Sequence, residues 1–139
     1  MKINNISIVI PILNEEKNLI RLIKEIEDVK NQMNLNNFEL ILVDDNSTDN
    51  TCKILNNIKS KKKFVRYFIR KKKRRDLTQS LFIGFNRSLY ENIVVMDGDL
   101  QHPPRYIKKL LQVFFKNKAD VVIGSRNLFK KRGPGLNFF

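Results

Sequence analysis

Asp97 and Asp99 stand one residue apart, with Gly98 between them, directly after the apolar run Ile93–Met96 in VVMDGDLQHPP (94–104). A second acidic pair, Asp44-Asp45, follows the apolar run FELILV (38–43). A single aspartate after a strand is commonly a turn residue or a helix cap. Two pairs at equivalent strand ends ask for more, because carboxylates a few ångströms apart repel unless a cation or a donor offsets the repulsion. A divalent metal is the usual cation, and all-oxygen ligands suit Mg²⁺ or Mn²⁺. Mg²⁺ prefers few carboxylates together with phosphate oxygens, so the implied ligand is a metal-bound phosphate or diphosphate. Gly98 fits the same chemistry, since a residue without a side chain lets the backbone approach a bulky ligand.

The elements that must position these acids follow from hydrophobic periodicity. Ile6–Pro11, Phe38–Val43, Phe64–Ile69, Ile93–Met96 and Asp120–Gly124 read as strands. Between them lie helical periods over about 15–34 (Leu19, Ile23, Ile26, Met33), 50–60 behind an Asp49 cap, and 77–90 (Leu77, Leu81, Phe85, Leu89). A last helix is opened by Pro103-Pro104, with Ile107, Leu110, Leu111 and Phe114 on its apolar face. This βαβαβαβαβ alternation predicts an α/β fold, a parallel sheet with helices on both faces. Ligands in such sheets bind beyond the carboxyl ends of the strands, near the point where strand order reverses. The turn after the first strand, PILNEE (11–16), lacks the glycines of a dinucleotide-binding unit, which argues against a nicotinamide or flavin enzyme. Asn14, Glu15 and Glu16 also read as a helix cap with acids complementing the dipole.

The chain has 139 residues and 42% apolar residues, enough for one domain with a core. No apolar run approaches the roughly 18 residues of a membrane span. The single cysteine, Cys52, fits a reducing, cytoplasmic location. Of the formal net charge of +13, residues 59–76 (KSKKKFVRYFIRKKKRRD) carry +10. That basic band reads either as the solvated face of a strand and its loops, or as a contact to anionic lipid headgroups, each basic residue contributing roughly 1 kcal/mol near the surface.

The series VIPILNEE (9–16), ELILVDDNSTDNT (39–51), VVMDGDLQHPP (94–104) and ADVVIGSR (119–126) resembles the family 2 glycosyltransferases, and among them the polyprenol-phosphate (dolichol-phosphate mannose synthase-like) hexosyltransferases. The resemblance implies the GT-A (Rossmann-like) fold, a nucleotide-diphosphate sugar donor such as a GDP- or UDP-hexose, and a metal-binding DxD motif. Asp97-Gly98-Asp99 is similar to that motif. By the same resemblance Asp97 and Asp99 are the catalytic acids, Asp97, Asp99 and Gln101 lie at the metal and diphosphate, and Gly98 lies between them. Pro11, Leu13 and Glu15 would line the nucleoside pocket, Val43 and Asp45 would hold base and ribose, and Arg126 would face the phosphates. Leu13 stands where an aromatic is frequent, and Gly98 where alanine is frequent. Residues 70–84 replace a glycine-containing stretch, although Arg75, Asp76 and Gly84 keep the likeness.

The implied reaction is inverting, metal-dependent transfer of a hexose (mannose or glucose) to a polyprenyl or dolichyl phosphate, at the cytoplasmic face of a membrane. The alternatives are a nucleotide-sugar-binding fragment without turnover and a transferase acting on a non-lipid glycan. Residues 1–126 read as the incomplete donor-binding domain and 127–139 as a tail, with Leu136, Phe138 and Phe139 left without partners. The family's domain continues past the GSR segment, so the chain reads as the donor-binding half of a larger enzyme. A receiver-type signalling module would place its acidic pair after the first strand and a lysine after the fifth, and neither is present. A nucleic-acid-binding protein is suggested only by charge, with no recognition motif. His102, before two prolines, reads as a turn residue.

Overall fold

The computed structural model describes residues 5–72, 74–125 and 137–138. The chain runs β1 (Ile6–Ile12), α1 (Leu19–Gln32), β2 (Phe38–Asp44), α2 (Thr51–Lys61), β3 (Val65–Ile69), α3 (Leu77–Arg87), β4 (Asn92–Val95) and α4 (Ile107–Asn117). A single 3₁₀ turn, Pro104–Tyr106, leads into α4, and two short strands follow, β5 (Gly124–Ser125) and β6 (Asn137–Phe138). The four longer strands form one parallel sheet in the order β3-β2-β1-β4. β1 and β2 are its interior, paired from Ile6↔Phe38 to Ile12↔Asp44. They are covered on both faces, which is why ISIVIPI and FELILVD read as nearly continuous apolar runs rather than alternating ones.

The chain lays down β1, β2 and β3 in one direction and then returns to place β4 on the other side of β1. Right-handed crossovers therefore put α3 on the opposite face from α1 and α2. One face packs Ile6, Ile8, Ile10, Leu40 and Leu42 against Leu19, Leu22, Ile23 and Ile26 of α1, Leu55 of α2, and Ile107 and Leu111 of α4. The other packs Val9, Ile41 and Val43 against Phe68, Leu81 and Ile83.

Two expectations from periodicity are corrected. Asp120–Gly124 is not a fifth parallel strand: only Gly124–Ser125 pairs, antiparallel, with Asn137–Phe138. Val121 and Ile123 are 72% and 68% exposed, because the segment stands away from β4. An apolar cleft of about 510 Å³ lies between β4, α4 and residues 120–124. Phe138 has a backbone partner in Gly124, and Leu136 and Phe139 lie outside the described residues. The second correction concerns α3. Leu77, Phe85 and Leu89 are exposed, and the buried positions are Ser80 and Gly84. Small residues face the sheet because helix and strand approach closely: a Cβ added to Gly84 would lie 2.2 Å from Val9 Cγ1.

Gly84→Ala should accordingly destabilise the fold by about 1–3 kcal/mol through overpacking, even though alanine is the better helix former by about 1 kcal/mol. Urea denaturation measures it, and an unchanged or raised midpoint would show that α3 is not held against Val9.

Candidate functional site

The reversal of strand order leaves a crevice beyond the carboxyl ends of the strands. A pocket of about 370 Å³ opens there, lined by Pro11 and Ile12 at the end of β1, Leu13 and Glu15 after it, Asp45 after β2, and Asp97, Gly98 and Asp99 after β4. Its remaining wall is the approach to α3, namely Arg75, Asp76, Leu77 and Ser80. Seven of the expected residues thus meet in one place: Pro11, Leu13, Glu15, Asp45, Asp97, Gly98 and Asp99. Val43 is placed elsewhere, fully buried with Val9 and Ile41 in the core under α3. Gln101 does not line the pocket; its backbone N–H donates to Asp99 Oδ1 at 3.0 Å. Arg126 lies outside the described residues.

The acids at the end of β4 sit on a tight reversal. Asp97 is exposed, Asp99 half-buried and Gly98 buried. A Cβ at Gly98 would lie 2.9 Å from Ile12 Cγ2, so contact with β1 is itself a reason for the glycine. Leu100 follows with φ of 61°, a left-handed conformation uncommon for a residue of its kind.

The loops after β1 and β2 are clasped by reciprocal hydrogen bonds. The Asn14 backbone N–H donates to Ser47 Oγ at 2.8 Å, and Asn14 Oδ1 accepts from the Thr48 N–H at 2.8 Å. The Glu15 N–H reaches Thr51 Oγ1 at 2.9 Å, and Glu16 Oε2 accepts from both the backbone and the side chain of Asn50 at 2.9 Å. Asn14 and Glu16 are therefore not caps of α1; they bind the neighbouring loop across 33 or more residues of sequence. Burial pushes the Asp49 carboxyl up, but hydrogen bonds from the Thr51 side chain and from backbone N–H groups outweigh it and hold the group below its usual value. Burial, and then the charge of Asp44, push the Cys52 thiol up, so it stays protonated and is a poor nucleophile.

Asp45 is the best-anchored of the acids. Its Oδ1 accepts from Arg70 Nε at 2.6 Å and lies 2.5 Å from Arg70 Nη2, and its Oδ2 accepts from the Asp76 N–H at 2.7 Å. Both side chains are nearly buried, at 9% and 8% exposure. This pairing also redraws the basic band. Arg66 is bound to the buried Glu39 at 2.5 Å, Lys62 to Glu27 at 2.5 Å, and Arg70 to Asp45. The described exposed cations fall into two groups divided by β3, with Lys59, Lys61 and Lys63 at its amino end and Lys71, Lys72, Arg74 and Arg75 at its carboxyl end. Five residues spanning roughly 16 Å separate them. Only the second group adjoins the pocket.

Arg70 and Ser80 are the site residues that the sequence reading passes over. Arg70 looks like one more member of a charge run. Ser80 shares a helical stripe with Gly84, and the only signal is that these two small residues interrupt an otherwise bulky helix.

The architecture is that of the GT-A glycosyltransferases. The chain belongs to glycosyl transferase family 2, whose model matches residues 7–135. It is 38% identical to a dolichol-phosphate mannosyltransferase of Pyrococcus furiosus over 121 residues, 87% of this chain and 33% of that protein. It is 34% identical to an undecaprenyl-phosphate 4-deoxy-4-formamido-L-arabinose transferase of Proteus mirabilis, covering 90% of this chain and 37% of that one. Among solved structures, glucosyl-3-phosphoglycerate synthase of Mycobacterium tuberculosis, in complex with Mn²⁺, UDP-glucose and phosphoglyceric acid, superposes with a TM-score of 0.66 at 24% identity. That match covers 85% of this chain and 42% of the synthase. The chain spans between 33% and 42% of the length of these relatives.

Arg70→Met should cost about 3 kcal/mol or more, because it leaves a nearly buried carboxylate without its cation. Urea denaturation reads this directly. A loss no larger than that of an exposed pair, such as Arg21–Glu25, would show that Asp45 is satisfied without Arg70. Acid should weaken the loop clasp as well. Asp49 has a lowered folded value, so its contribution is present above the unfolded carboxylate value and is lost as pH falls through the folded one. Asp49→Asn should flatten this part of the acid denaturation curve, and an unchanged curve would count against it.

Proposed function

We propose that the pocket binds a nucleotide-diphosphate sugar through a divalent cation, and that the protein of which this pocket is the donor site transfers a hexose to a polyprenyl phosphate. The observation that carries the reading is the charge of the pocket. Among the described residues, Glu15, Asp45, Asp76, Asp97 and Asp99 line it with Arg75, and of these carboxylates Asp45 is already paired, with Arg70. A diphosphate would be repelled by such a wall unless a metal ion sat between the charges. The donor set fits that ion. Asp97 and Asp99 offer hard oxygens, and among the described residues no cluster of three or more ligating side chains would close the coordination sphere. Diphosphate oxygens would complete the set, the arrangement Mg²⁺ or Mn²⁺ favours. Gln101 is the third proposed ligand. The Mycobacterium synthase, solved with Mn²⁺ and UDP-glucose, supports the reading.

When bound, the ion supplies Lewis-acid stabilisation of the departing diphosphate. The residues of the chain orient the donor. Asp45, fixed by Arg70, and the walls Pro11, Leu13 and Glu15 hold the nucleoside on the β1–β2 side, while Asp97 and Asp99 hold the phosphate end on the β4 side. An acceptor phosphate oxygen then attacks the anomeric carbon, the bond from that carbon to the diphosphate oxygen breaks, and the configuration inverts. An acceptor phosphate is already anionic, so no general base is required of the site. The polyprenyl acceptor rests on the relatives, which are named for dolichol-phosphate and undecaprenyl-phosphate chemistry. A GDP- or a UDP-hexose is compatible with the pocket.

A membrane-facing role follows from a second observation. Leu77, Phe82 and Phe85 of α3 are exposed, and the exposed cations Lys71, Lys72 and Arg74 lie in the segment that leads into that helix. An apolar helix face next to basic residues suits the headgroup region of an anionic bilayer. No described helix is long and apolar enough to cross a membrane.

Calorimetry with GDP and UDP, with and without Mn²⁺, tests the site. Asp99→Asn should weaken metal-dependent binding about tenfold or more, the effect of losing one charge-assisted contact. Equal affinity after chelation would overturn the reading. For the membrane face, co-sedimentation with phosphatidylserine vesicles should fall with salt and on neutralising Lys71, Lys72 and Arg74. Neutralising Lys59, Lys61 and Lys63 should matter less, and the opposite order would place the contact at the other end of the sheet.

A further inference from the structure

Ser80 is fully buried, and its Oγ is a buried side-chain polar atom with no hydrogen-bond partner, alone in this among the described residues. A helical serine can usually donate to the carbonyl one turn back, and Ser88, just past the end of α3, makes such a bond to the Gly84 carbonyl at 2.9 Å. Ser80 does not, although its backbone N–H is bonded to the Asp76 carbonyl at 3.1 Å. Ser80 is also one of the residues that line the pocket. Native proteins rarely leave a buried hydroxyl unpaired, and an exception calls for a reason.

Its position gives one. α3 starts at the pocket and runs back over the sheet, with Gly84 packed on Val9. Four residues of helix back from Gly84 cover roughly 6 Å, and two residues of strand from Val9 to Pro11 cover roughly the same. Ser80 is thereby brought level with Pro11, whose ring offers nothing to pair with a hydroxyl. α3 lies across β1 and β2, whereas Asp97 and Asp99 follow β4 on the far side of β1. The unpaired hydroxyl is thus on the side of the pocket assigned above to the nucleoside, away from the diphosphate end.

We propose that Ser80 Oγ is a recognition contact for the nucleoside of the donor, completing its hydrogen bond on a polar atom of base or ribose only when the pocket is filled. This rests on the reading of the pocket as a nucleotide-diphosphate-sugar site and adds a residue to it. The free protein carries the unpaired hydroxyl, and the bound protein does not. Ser80 is then a specificity residue whose removal acts in opposite directions on stability and on binding. A purely structural serine would not behave so.

The test uses the full 139-residue chain, as Ser80→Ala and as the near-isosteric Ser80→Cys. Thermal unfolding of the free proteins should give a higher Tm for Ser80→Ala than for the native chain, because the unsatisfied group is gone. Calorimetry in Mn²⁺ should show the better-bound of UDP and GDP weakened about three- to tenfold by both substitutions, the range of one neutral hydrogen bond. Inorganic pyrophosphate in Mn²⁺ should bind all three proteins alike. A native chain that binds neither nucleotide would overturn the site reading and this inference together. A native chain that binds, with Ser80→Ala binding equally well, would overturn the Ser80 inference alone. So would a lowered Tm, which would assign the hydroxyl a structural partner, or an equal loss with pyrophosphate, which would move the contact to the phosphates.

Discussion

The buried carboxylate of Asp45 holds the functional end of the molecule together. It directly follows β2, draws in Arg70 from just past the end of β3, and accepts the N–H of Asp76, whose own carboxylate caps α3 through the Gln79 N–H at 3.1 Å. One side chain thus joins two strand ends and a helix start. A buried ion pair adds little net stability over an apolar substitute, because desolvation offsets most of the attraction. Its effect is directional: with both oxygens engaged, the carboxylate tolerates one arrangement of these three segments. That arrangement sets where α3 begins, and so where Arg75 and Ser80 meet the pocket.

A similar logic governs the other end of α3. Glu39, buried in β2, accepts from Ser7 Oγ at 2.7 Å, from the Leu89 N–H at 2.5 Å and from Arg66 at 2.5 Å. Arg66 also donates to the Arg87 carbonyl at 2.9 Å, so the exit of α3 is tied to the sheet as firmly as its entry. Among the described residues α3 is the one helix packed on this face of the sheet, pinned at its exit by Glu39 of β2 and Arg66 of β3 and at its entry by Asp45 and Arg70, which directly follow those strands. Two of the cations in residues 59–76, Arg66 and Arg70, answer acids buried at the sheet. The remainder is divided by β3, and only the part at the carboxyl ends is available to the chemistry there.

The strand ends were legible in the sequence because apolar runs and paired acids are local signals. Ile6–Ile12 and Phe38–Asp44 are apolar throughout, as interior strands must be, and Asp97 and Asp99 follow a strand with no intervening turn residues. Periodicity misled in two places where tertiary geometry overrides it. The Leu77, Phe85 and Leu89 stripe of α3 points outward because Gly84 and Ser80 let the helix close on Val9, a steric requirement set by another element. Asp120–Gly124 has the composition of a strand, but composition does not supply a neighbour, and the segment lies beside β4 without pairing to it. Arg70 was hidden for the same reason, since a charge run does not reveal which of its members meets a buried acid.

The pocket concentrates features that a stable fold avoids. Like charges face one another at its rim, Leu100 adopts a left-handed backbone, and a buried hydroxyl lacks a partner. Sequences that specify a fold agree with it at every level except where function intervenes. Each departure here has a physical remedy that comes with a ligand: a cation for the carboxylates and a polar nucleoside atom for the hydroxyl. The clasp between the 13–18 and 44–51 loops and the pairing of Asp45 with Arg70 are the counterweight. They keep the walls in place without a ligand, so that little ordering of the backbone is left to be done when one binds.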